Sequence, residues 1–352
     1  MKKLISLLSI LLLFSSCSKD ENSDVQPISN TTIYGVGSLD ATANSRAIAC
    51  YSENDKIINL SSGNFDAVAE SIVVLDNGDK HIVGYEKNAN GNIIAKYWKN
   101  GIATNFPATI LGEDSVANDI AISGSDVYIS GNEDSDNGNS IAIYWKNNNK
   151  EYLSSSTNDT QTTAITIANN KVYVTGYEKN GTIKKPLLWI DGVAINITTG
   201  TNDAYVSDIV IVGTKIYLSG YENISGNQFA VYWLKDTAIS NSNFVGRVLP
   251  TTIIYGGAQS ITSIGTDVYI SGYEAGATKY WKVNAMGDKI ATALTNSGSD
   301  SDAGSIFAYQ NDIYTLTYED AIGYKYWKNG SQITTFSNNK NYRIYGLFVN
   351  SK

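Results

Sequence analysis

Cysteine and histidine are scarce in this chain, and their scarcity excludes several kinds of chemistry. The 352 residues include two cysteines and one histidine, too few for a disulfide framework or for a zinc site built from these side chains. The single histidine, His81, would have to serve any catalytic arrangement that needs an imidazole. We therefore expect a protein that is not an enzyme, with no catalytic residue, no metal and no cofactor.

Basic residues and prolines are also few. Lys and Arg number 26 against 34 Asp and Glu, which gives a formal net charge of −8. Binding to nucleic acid needs a basic surface, so nucleic acid is not an expected partner. Only four prolines occur, and β-branched and aromatic segments alternate with joints of Asn, Gly, Ser and Asp, without helical periodicity. This pattern is typical of an all-β protein.

The apolar run from Leu4 to Phe14 is too short to span a bilayer, which takes about 20 residues. Two lysines precede this run, and two serines follow it directly before Cys17. A charged start, a short apolar centre and a small-residue end are typical of a targeting segment. We interpret residues 1–16 as a signal peptide.

The position of Cys17 after two small residues resembles the lipobox of bacterial lipoproteins, in which the cysteine is lipidated after cleavage. The resemblance implies that acyl chains on Cys17 anchor the protein to a membrane, with residues 17–30 as a disordered polar tether. The sequence Ser-Lys-Asp-Glu from Ser18 is similar to the export signal of Bacteroidota-type surface lipoproteins. We therefore expect the protein on the outer membrane, exposed at the cell surface.

An aromatic pair recurs along the rest of the chain. All six tryptophans belong to it, at spacings of 47, 44, 44, 48 and 46 residues. The pairs are Tyr97-Trp98, Tyr144-Trp145, Leu188-Trp189, Tyr232-Trp233, Tyr280-Trp281 and Tyr326-Trp327, and a degenerate copy contains Tyr51 and Ser52. A Gly-Tyr-Glu sequence or a variant of it precedes each pair. Seven units of this length are typical of the blades of a β-propeller.

Each unit is predicted to form four strands, a to d, from the centre outward. In the third unit the segments are Asp119 to Ser123, Asp126 to Gly131, Ile141 to Lys146 and Glu151 to Ser154. Strands b and c are apolar on both alternating faces, which indicates sheets covered on both sides by neighbouring blades.

The two ends of the repeat region complement each other. The first unit lacks strand a, and Ile344 to Val349 near the C-terminus form a strand a without a unit. We expect the last strand to complete the first blade, because closure removes two open sheet edges. Residues 31–352 are thus predicted to form a monomeric, seven-bladed β-propeller with four antiparallel strands in each blade.

The run Tyr97-Trp98-Lys99-Asn100-Gly101 resembles the repeats of extracellular propellers of the kelch-like or HAF type. The resemblance covers the whole repeat region and implies the fold. It leaves the function open, because propellers serve as lectins, hydrolases and adaptors alike.

Carboxylates are the first candidate functional groups. Six units carry a glutamate after strand b, and a ring of these could collect cations or sugar hydroxyls; alternatively, each orders its own loop by bonding backbone amides. At the opening of strand a, where small residues dominate, Asp119 and Asp208 should lie near the mouth of the central channel. They could perform acid/base chemistry on a glycoside, bind sugar hydroxyls, or bond neighbouring amides.

Other candidates lie outside the channel. The long connection from Asn241 to Gly256 is predicted to be a surface loop that presents Arg247 for ligand binding. Asp114-Ser115-Val116 and Asp236-Thr237-Ala238 resemble the O-glycosylation sequence of exported Bacteroidota proteins, which implies modification at Ser115 and Thr237. His81 replaces a tyrosine of the other units and Cys50 falls within a strand, so both are expected in the core.

The leading hypothesis is a non-enzymatic binding module on the cell surface for a glycan, a polymer or a protein. One alternative is a carbohydrate-active hydrolase that uses carboxylates at the channel mouth. Another is a structural subunit of an outer-membrane surface complex. A concave, aromatic-lined pocket would favour a small ligand, and a flat polar face would favour a protein partner.

Overall fold

The computed structural model describes residues 31–40, 46–54, 56–250, 255–296, 301–319, 323–336 and 342–351. The predicted signal peptide, the lipidation site Cys17 and the tether to residue 30 lie outside the described residues. Within these ranges the chain forms seven four-stranded antiparallel sheets and no helix, so no described helix could span a membrane.

The sheets are the blades of a β-propeller, and each is described from its innermost strand outward. Blade 1 contains β28 (Tyr342–Ser351), β1 (Thr31–Asp40), β2 (Ala47–Glu53) and β3 (Lys56–Asn59). Blade 2 contains β4 (Ala67–Val74), β5 (Lys80–Lys87), β6 (Ile93–Lys99) and β7 (Ile102–Phe106). Blade 3 contains β8 (Ser115–Ser123), β9 (Asp126–Asp134), β10 (Ser140–Lys146) and β11 (Asn149–Tyr152).

The remaining blades follow the same plan. Blade 4 contains β12 (Asp159–Ala168), β13 (Lys171–Asn180), β14 (Ile183–Ile190) and β15 (Val193–Asn196). Blade 5 contains β16 (Ala204–Val212), β17 (Lys215–Ile224), β18 (Asn227–Asp236) and β19 (Val245–Val248). Blade 6 contains β20 (Gly256–Ile264), β21 (Asp267–Glu274), β22 (Ala277–Val283) and β23 (Lys289–Ala293). Blade 7 contains β24 (Ser301–Tyr309), β25 (Asp312–Glu319), β26 (Gly323–Lys328) and β27 (Ser331–Phe336).

The ring closes as the ends of the repeat region predict. Strand β28 pairs antiparallel with β1, with Val349 opposite Ile33 and Leu347 opposite Gly35. The last described strand therefore completes the first blade. The prediction of seven blades with four antiparallel strands each is confirmed.

The repeated tryptophans form the core between blades. Trp145 is 1% exposed and packs against Phe106 of the preceding blade, with ring centroids 5.2 Å apart. Trp98, Trp189, Trp233 and Trp281 are also buried and pack against residues of the blade before their own. Because each blade buries its tryptophan on a neighbour, the apolar pattern on both faces of the strands is explained.

The Lys-Asn part of the repeat ties the outer hairpin of a blade to its second strand. Asn147 adopts a left-handed conformation with a φ of 49°, and its Oδ1 accepts the Val127 amide at 2.9 Å. Lys146 forms an ion pair with Asp126 at 3.2 Å and lies 5.3 Å from the Tyr128 ring. The asparagine bond recurs at Asn54, Asn100 and Asn329. This part of the repeat is therefore structural.

A β-bulge interrupts the innermost strand of every blade at an equivalent place. Opposite the bulge, six of the second strands carry a glycine; at Gly131 a Cβ would overlap the carbonyl oxygen of Val116. In blade 7 Thr317 occupies this place, and there the bulge leaves two residues of the innermost strand β24 unpaired instead of one. The repeated glycine thus permits the bulge, which turns an extra side chain away from the ladder.

Candidate functional site

The seven innermost strands surround a central cavity of about 400 Å³. Residues of all seven blades line it, and Asp119 and Asp208 are among them. The structure therefore brings the two predicted aspartates together in one cavity. Arg247 does not line it.

The bulges give the cavity most of its chemistry. Each bulge places a different residue on the cavity wall, so the wall is asymmetric although the fold repeats. These residues are Glu70, Asn118, Thr163, Ser207, Gln259, Gly304 with Ser305, and Tyr345. Carboxylate, amide, hydroxyl and phenol groups thus face one space. No Lys, Arg or His occurs among its described lining residues.

Asp119 links three consecutive blades. Its Oδ1 accepts a hydrogen bond from the Ser71 hydroxyl of blade 2 at 2.7 Å, and its Oδ2 accepts the Ile165 amide of blade 4 at 2.9 Å. Asp208 has a similar role between blades 5 and 6, because its Oδ2 accepts the Ser260 hydroxyl and the Ile261 amide, each at 2.9 Å. Of the three alternatives for these two aspartates, the structure thus shows the bonds to neighbouring backbone amides.

Burial controls the protonation of these carboxyls. It raises the pKa of Asp119 to about 7, with a further contribution from the Asp208 carboxylate, while the bonds from Ile165 and Ser71 act in the opposite direction. Burial also raises the pKa of Asp208. It raises the pKa of Glu70 to about 7. Near neutral pH the cavity therefore contains carboxyl groups that can donate as well as accept a hydrogen bond.

Glu70 and Gln259 are two of the cavity residues whose polar side-chain groups are available to a ligand. Within the described part of the chain, neither side chain forms a hydrogen bond or an ion pair. Asn118, by comparison, donates to the carbonyl and the hydroxyl of Thr162 at 2.9 and 3.0 Å. Two bulge residues on different sides of the cavity therefore have free hydrogen-bonding capacity.

A second cavity of about 450 Å³ opens beside the first. The two share Glu70, Asn118 and Thr163 as lining residues, so they are adjoining parts of one concave region. Tyr177 and Tyr205 line the second cavity, and their ring centroids are 5.3 Å apart. The region is thus concave, polar and bordered by aromatic rings, which is the form that favours a small ligand.

The repeated glutamates have structural partners. Glu86 and Glu319 form ion pairs with lysines of the adjacent strand, at 2.7 and 2.6 Å. Glu178 and Glu222 accept hydrogen bonds from asparagine side chains, each at 2.8 Å. The expectation that these residues bond the amides of their own loops is wrong for these four, because lysine and asparagine side chains reach them.

Glu133, like Glu274, is almost completely enclosed. Its side chain is buried with Lys150, the Thr109 amide and the Tyr152 hydroxyl as partners. Burial favours a higher pKa, but these bonds together lower the pKa of Glu133 below its ordinary value.

Within the described ranges, no group of three or more His, Cys, Asp or Glu is placed to hold a metal ion.

Arg247 lies away from the cavities, on the outermost strand of blade 5. It is exposed and sits opposite Tyr232 in the pairing of β18 with β19. The prediction of a surface loop from Asn241 to Gly256 is therefore wrong for Val245–Val248, because these residues pair as a strand. Residues 251–254 lie outside the described ranges.

The two tripeptides that resemble glycosylation sequences have different surroundings. Ser115 is 1% exposed; its hydroxyl donates to the Phe106 carbonyl and accepts the Ala95 amide. A glycan cannot be attached there in the folded chain. Asp114 is one of four aspartates near the start of innermost strands that accept an amide from the preceding blade; the others are Asp66, Asp159 and Asp203. This interblade bond accounts for the aspartate of the Asp114-Ser115-Val116 sequence.

Thr237 is exposed in a turn after β18, where its hydroxyl donates to the Thr214 carbonyl at 2.8 Å. Modification at this position stays a prediction.

The two remaining unusual residues lie in the core, as expected. His81 is 3% exposed, with Nδ1 2.6 Å from the Tyr97 hydroxyl, and burial raises the pKa of the Cys50 thiol to about 12.

The bulge residues Glu70 and Gln259 were missed by sequence reasoning, which considered only the position after them. A signal for them does exist. The residue before the small residue of strand a varies among units more than its neighbours do, while the glycine opposite is nearly invariant within the chain. Variation at one place in a regular repeat is the expected mark of a site.

No protein-family model matches the chain, and no curated protein matches its sequence. Among solved structures, the chain is similar to a periplasmic gluconolactonase of Pseudomonas aeruginosa, with a TM-score of 0.55 and 8% identity over 91% of this chain and 99% of that one. It is also similar to a puromycin hydrolase, with a TM-score of 0.58 and 9% identity over 89% of this chain and 52% of that one.

Prolyl endopeptidase is a third similar structure, with a TM-score of 0.52 and 10% identity over 92% of this chain and 50% of that one. The chain thus spans about half the length of the puromycin hydrolase and of the prolyl endopeptidase. At these identities the likeness concerns the fold alone. The chain has the fold of a seven-bladed β-propeller.

Proposed function

We propose that the protein is a binding module that takes an uncharged, hydroxyl-rich ligand, a carbohydrate, in its central cavity. The observation that carries the proposal is the set of seven β-bulges, which direct different polar side chains into one space. A repeated fold with a non-repeated cavity wall can bind one ligand in one orientation.

The chemistry of the wall supports a carbohydrate. Glu70, Gln259 and the serines of the wall offer donors and acceptors in many directions, as a sugar ring with several hydroxyls requires. An anionic ligand would meet three acidic side chains, Glu70, Asp119 and Asp208, with no basic residue among the described lining residues of the central cavity. Repulsion and the cost of desolvating like charges disfavour such a ligand.

The place of action is part of the proposal. Lipidation at Cys17 would hold the module at the outer membrane, and the polar tether would let the propeller face the surroundings of the cell. This step rests on the sequence around Cys17. It is tested by metabolic labelling with a fatty acid analogue, which Cys17→Ala should abolish.

Glycoside hydrolysis is the second candidate. It is favoured by the pKa of about 7 of Glu70, which provides a protonated carboxyl group near neutral pH, as a general acid must be. Against it, the carboxyl groups of Asp119 and Asp208 are held by donors from neighbouring blades. A base would have to be freed from these bonds before it could act on a substrate.

The proposal is tested by calorimetric titration with a panel of neutral mono- and disaccharides. Glu70→Gln and Gln259→Ala should each weaken binding about tenfold, the loss expected for one hydrogen bond to a buried polar group. Glu151→Gln, an exposed change on β11, is the matched control and should bind as the parent does.

Each other outcome has a distinct meaning. Release of reducing sugar that Glu70→Gln abolishes would support the hydrolase and contradict a binding module. Absence of binding across the panel would contradict the carbohydrate proposal. Co-purification with outer-membrane proteins in that case would support the structural subunit.

A further inference from the structure

A row of five tyrosines leads away from the cavities across blades 4, 5 and 6. It consists of Tyr177, Tyr205, Tyr221, Tyr273 and Tyr255. Tyr205 lies between the first and third rings, with centroid distances of 5.3 Å to Tyr177 and 5.7 Å to Tyr221. Tyr273 and Tyr255 are 5.8 Å apart, and Gln228 of β18 contacts both, because it forms a β-bridge with Tyr255 and donates to the Tyr273 hydroxyl. Strand β18 pairs with β17, which carries Tyr221. We call this set the tyrosine row.

The tyrosine row begins inside the proposed binding region and ends in solvent. Tyr177 and Tyr205 line the second cavity. Tyr177 is buried, Tyr205, Tyr221 and Tyr273 are partly exposed, and Tyr255 at the far end is 57% exposed. The row is therefore continuous with the cavity and gains exposure with distance from it.

Hydrogen bonds hold two of these rings in place, and stacking orders two others. The Tyr177 hydroxyl donates to Gln161 Oε1 at 2.5 Å, and Gln228 Nε2 donates to the Tyr273 hydroxyl at 2.9 Å. Tyr205 and Tyr221 occupy opposite positions on β16 and β17, with their rings stacked. A ligand that contacts these rings would meet a surface that is already ordered, so little conformational entropy would be lost on binding.

Burial raises the pKa of Tyr177, Tyr205 and Tyr221 to about 12. These phenols are therefore neutral at any physiological pH and combine an apolar ring with a hydroxyl. A sugar unit has the complementary surface, with C–H groups on its ring faces and hydroxyls at its rim. Lys184 Nζ lies 5.2 and 5.1 Å from the centroids of Tyr177 and Tyr205 and covers part of these two rings. The outer three rings are the more accessible ones.

We propose that the tyrosine row binds successive units of a neutral polysaccharide whose end or branch enters the central cavity. The proposal rests on the carbohydrate function proposed above and extends it from a single sugar to a chain. A monosaccharide in the central cavity would not reach Tyr255, which directly precedes the first strand of blade 6 and is 57% exposed. Only a polymer can contact the whole row, and the row would then contribute affinity in proportion to chain length.

The test is the dependence of affinity on ligand length, measured with the full chain by calorimetry on neutral oligosaccharides of one to six units. For the unaltered protein, the dissociation constant should fall at least tenfold from the shortest to the longest ligand. Tyr221→Ala and Tyr255→Ala should remove most of that gain and leave the affinity for the shortest ligand unchanged. Tyr255→Phe should retain the gain that depends on the ring.

Tyr152→Ala is the matched control, because Tyr152 is 51% exposed on β11 and outside the tyrosine row. It should keep the full dependence on length. Thermal melting of each variant establishes that it folds, and Tyr255 tolerates change because it precedes β20 and is exposed.

The two proposals fail in different ways. Affinity that is independent of length, but is lost in Glu70→Gln, would overturn the polysaccharide proposal and leave the carbohydrate module intact. Equal weakening for all lengths by Tyr255→Ala would overturn it as well. Absence of binding to every saccharide would overturn the function on which it rests.

Discussion

At the scale of the residue, Asp119 connects stability to pH. The folded protein holds the pKa of this carboxyl near 7 through burial, whereas an aspartate in an unfolded chain has a pKa of about 3.9. Between these values the folded state binds a proton that the unfolded state releases. The contribution of Asp119 to stability is therefore fully present below about pH 4 and is lost as the pH rises through about 7.

Asp119→Asn should therefore flatten the dependence of stability on pH. The amide oxygen of asparagine can still accept bonds from Ser71 or Ile165, but it does not ionise. The parent should lose up to about 1.4 kcal/mol of stability per pH unit through this group between pH 5 and 7. The variant should lose correspondingly less, as measured by urea unfolding at each pH.

Asp126→Asn is the control for this experiment. The bonds from Asn147 and Lys146 lower the pKa of the partly exposed Asp126 carboxyl, so it is ionised throughout the range from pH 5 to 8. Its removal should leave the slope in that range unchanged. Identical slopes for Asp119→Asn and the parent would contradict the assignment of a raised pKa to Asp119.

At the scale of the element, the bulge and the glycine opposite it act as one unit. A Cβ at Gly131 would overlap the carbonyl oxygen of Val116. The strand could relieve this steric clash only by losing the bulge. Blade 7 shows the other solution, since its wider bulge accommodates Thr317, whose hydroxyl accepts the Trp327 indole N–H at 2.9 Å. The glycine motif is therefore required by the backbone that faces it.

Gly131→Ala should destabilise the protein by about 2 kcal/mol or more, as overpacking against an immobile backbone does. Thr317→Ala keeps a Cβ where the wider bulge allows one and should cost only about 1 kcal/mol for the lost hydrogen bond. Urea unfolding of both variants gives the comparison. If Gly131→Ala were as stable as the parent, the two strands could separate without loss of free energy of unfolding. That result would contradict the requirement for a glycine opposite the bulge.

At the scale of the whole molecule, the pairing of β28 with β1 closes the ring. Removal of β28 would expose the edge of β1 and the side of β24 that faces it, including the contact between Phe307 and Phe348, whose ring centroids are 4.6 Å apart. Open edges of this kind promote association between chains. Closure therefore protects solubility as well as stability.

A chain that ends at residue 341 should lose its cooperative thermal transition and aggregate. A circular permutant should instead remain folded, because Ser351 is paired with Thr31 and a two-residue Asn-Gly turn can join them. Its new ends would lie between Met286, which is 86% exposed, and Gly287. We expect its melting temperature within about 5 °C of that of residues 31–352. If the chain that ends at residue 341 melted at the same temperature as residues 31–352, the role of ring closure in stability would be contradicted.

The number of blades, the four strands of each blade and the closure of the ring all follow from the amino-acid sequence. This was possible because strand alternation and the spacing of Tyr-Trp pairs are local and repeat without interruption. The approximate place of Asp119 and Asp208 near the channel followed from the same alignment. Strand a of blade 3 proved longer than predicted, because the bulge at Asn118 lets pairing continue back to Ser115.

The availability of side chains to a ligand, by contrast, depends on how the blades pack together. Asp119 and Asp208 accept bonds from other blades, Ser115 is buried by the preceding blade, and Arg247 belongs to an outer strand. These contacts join residues far apart in the chain, and they depend on how radial packing aligns neighbouring sheets. A pattern along one strand contains no information about that alignment, which is why the tyrosine row emerged only from the assembled ring. Variation among the units marks the position of Glu70 and Gln259, but only the assembled ring shows that this position faces the cavity.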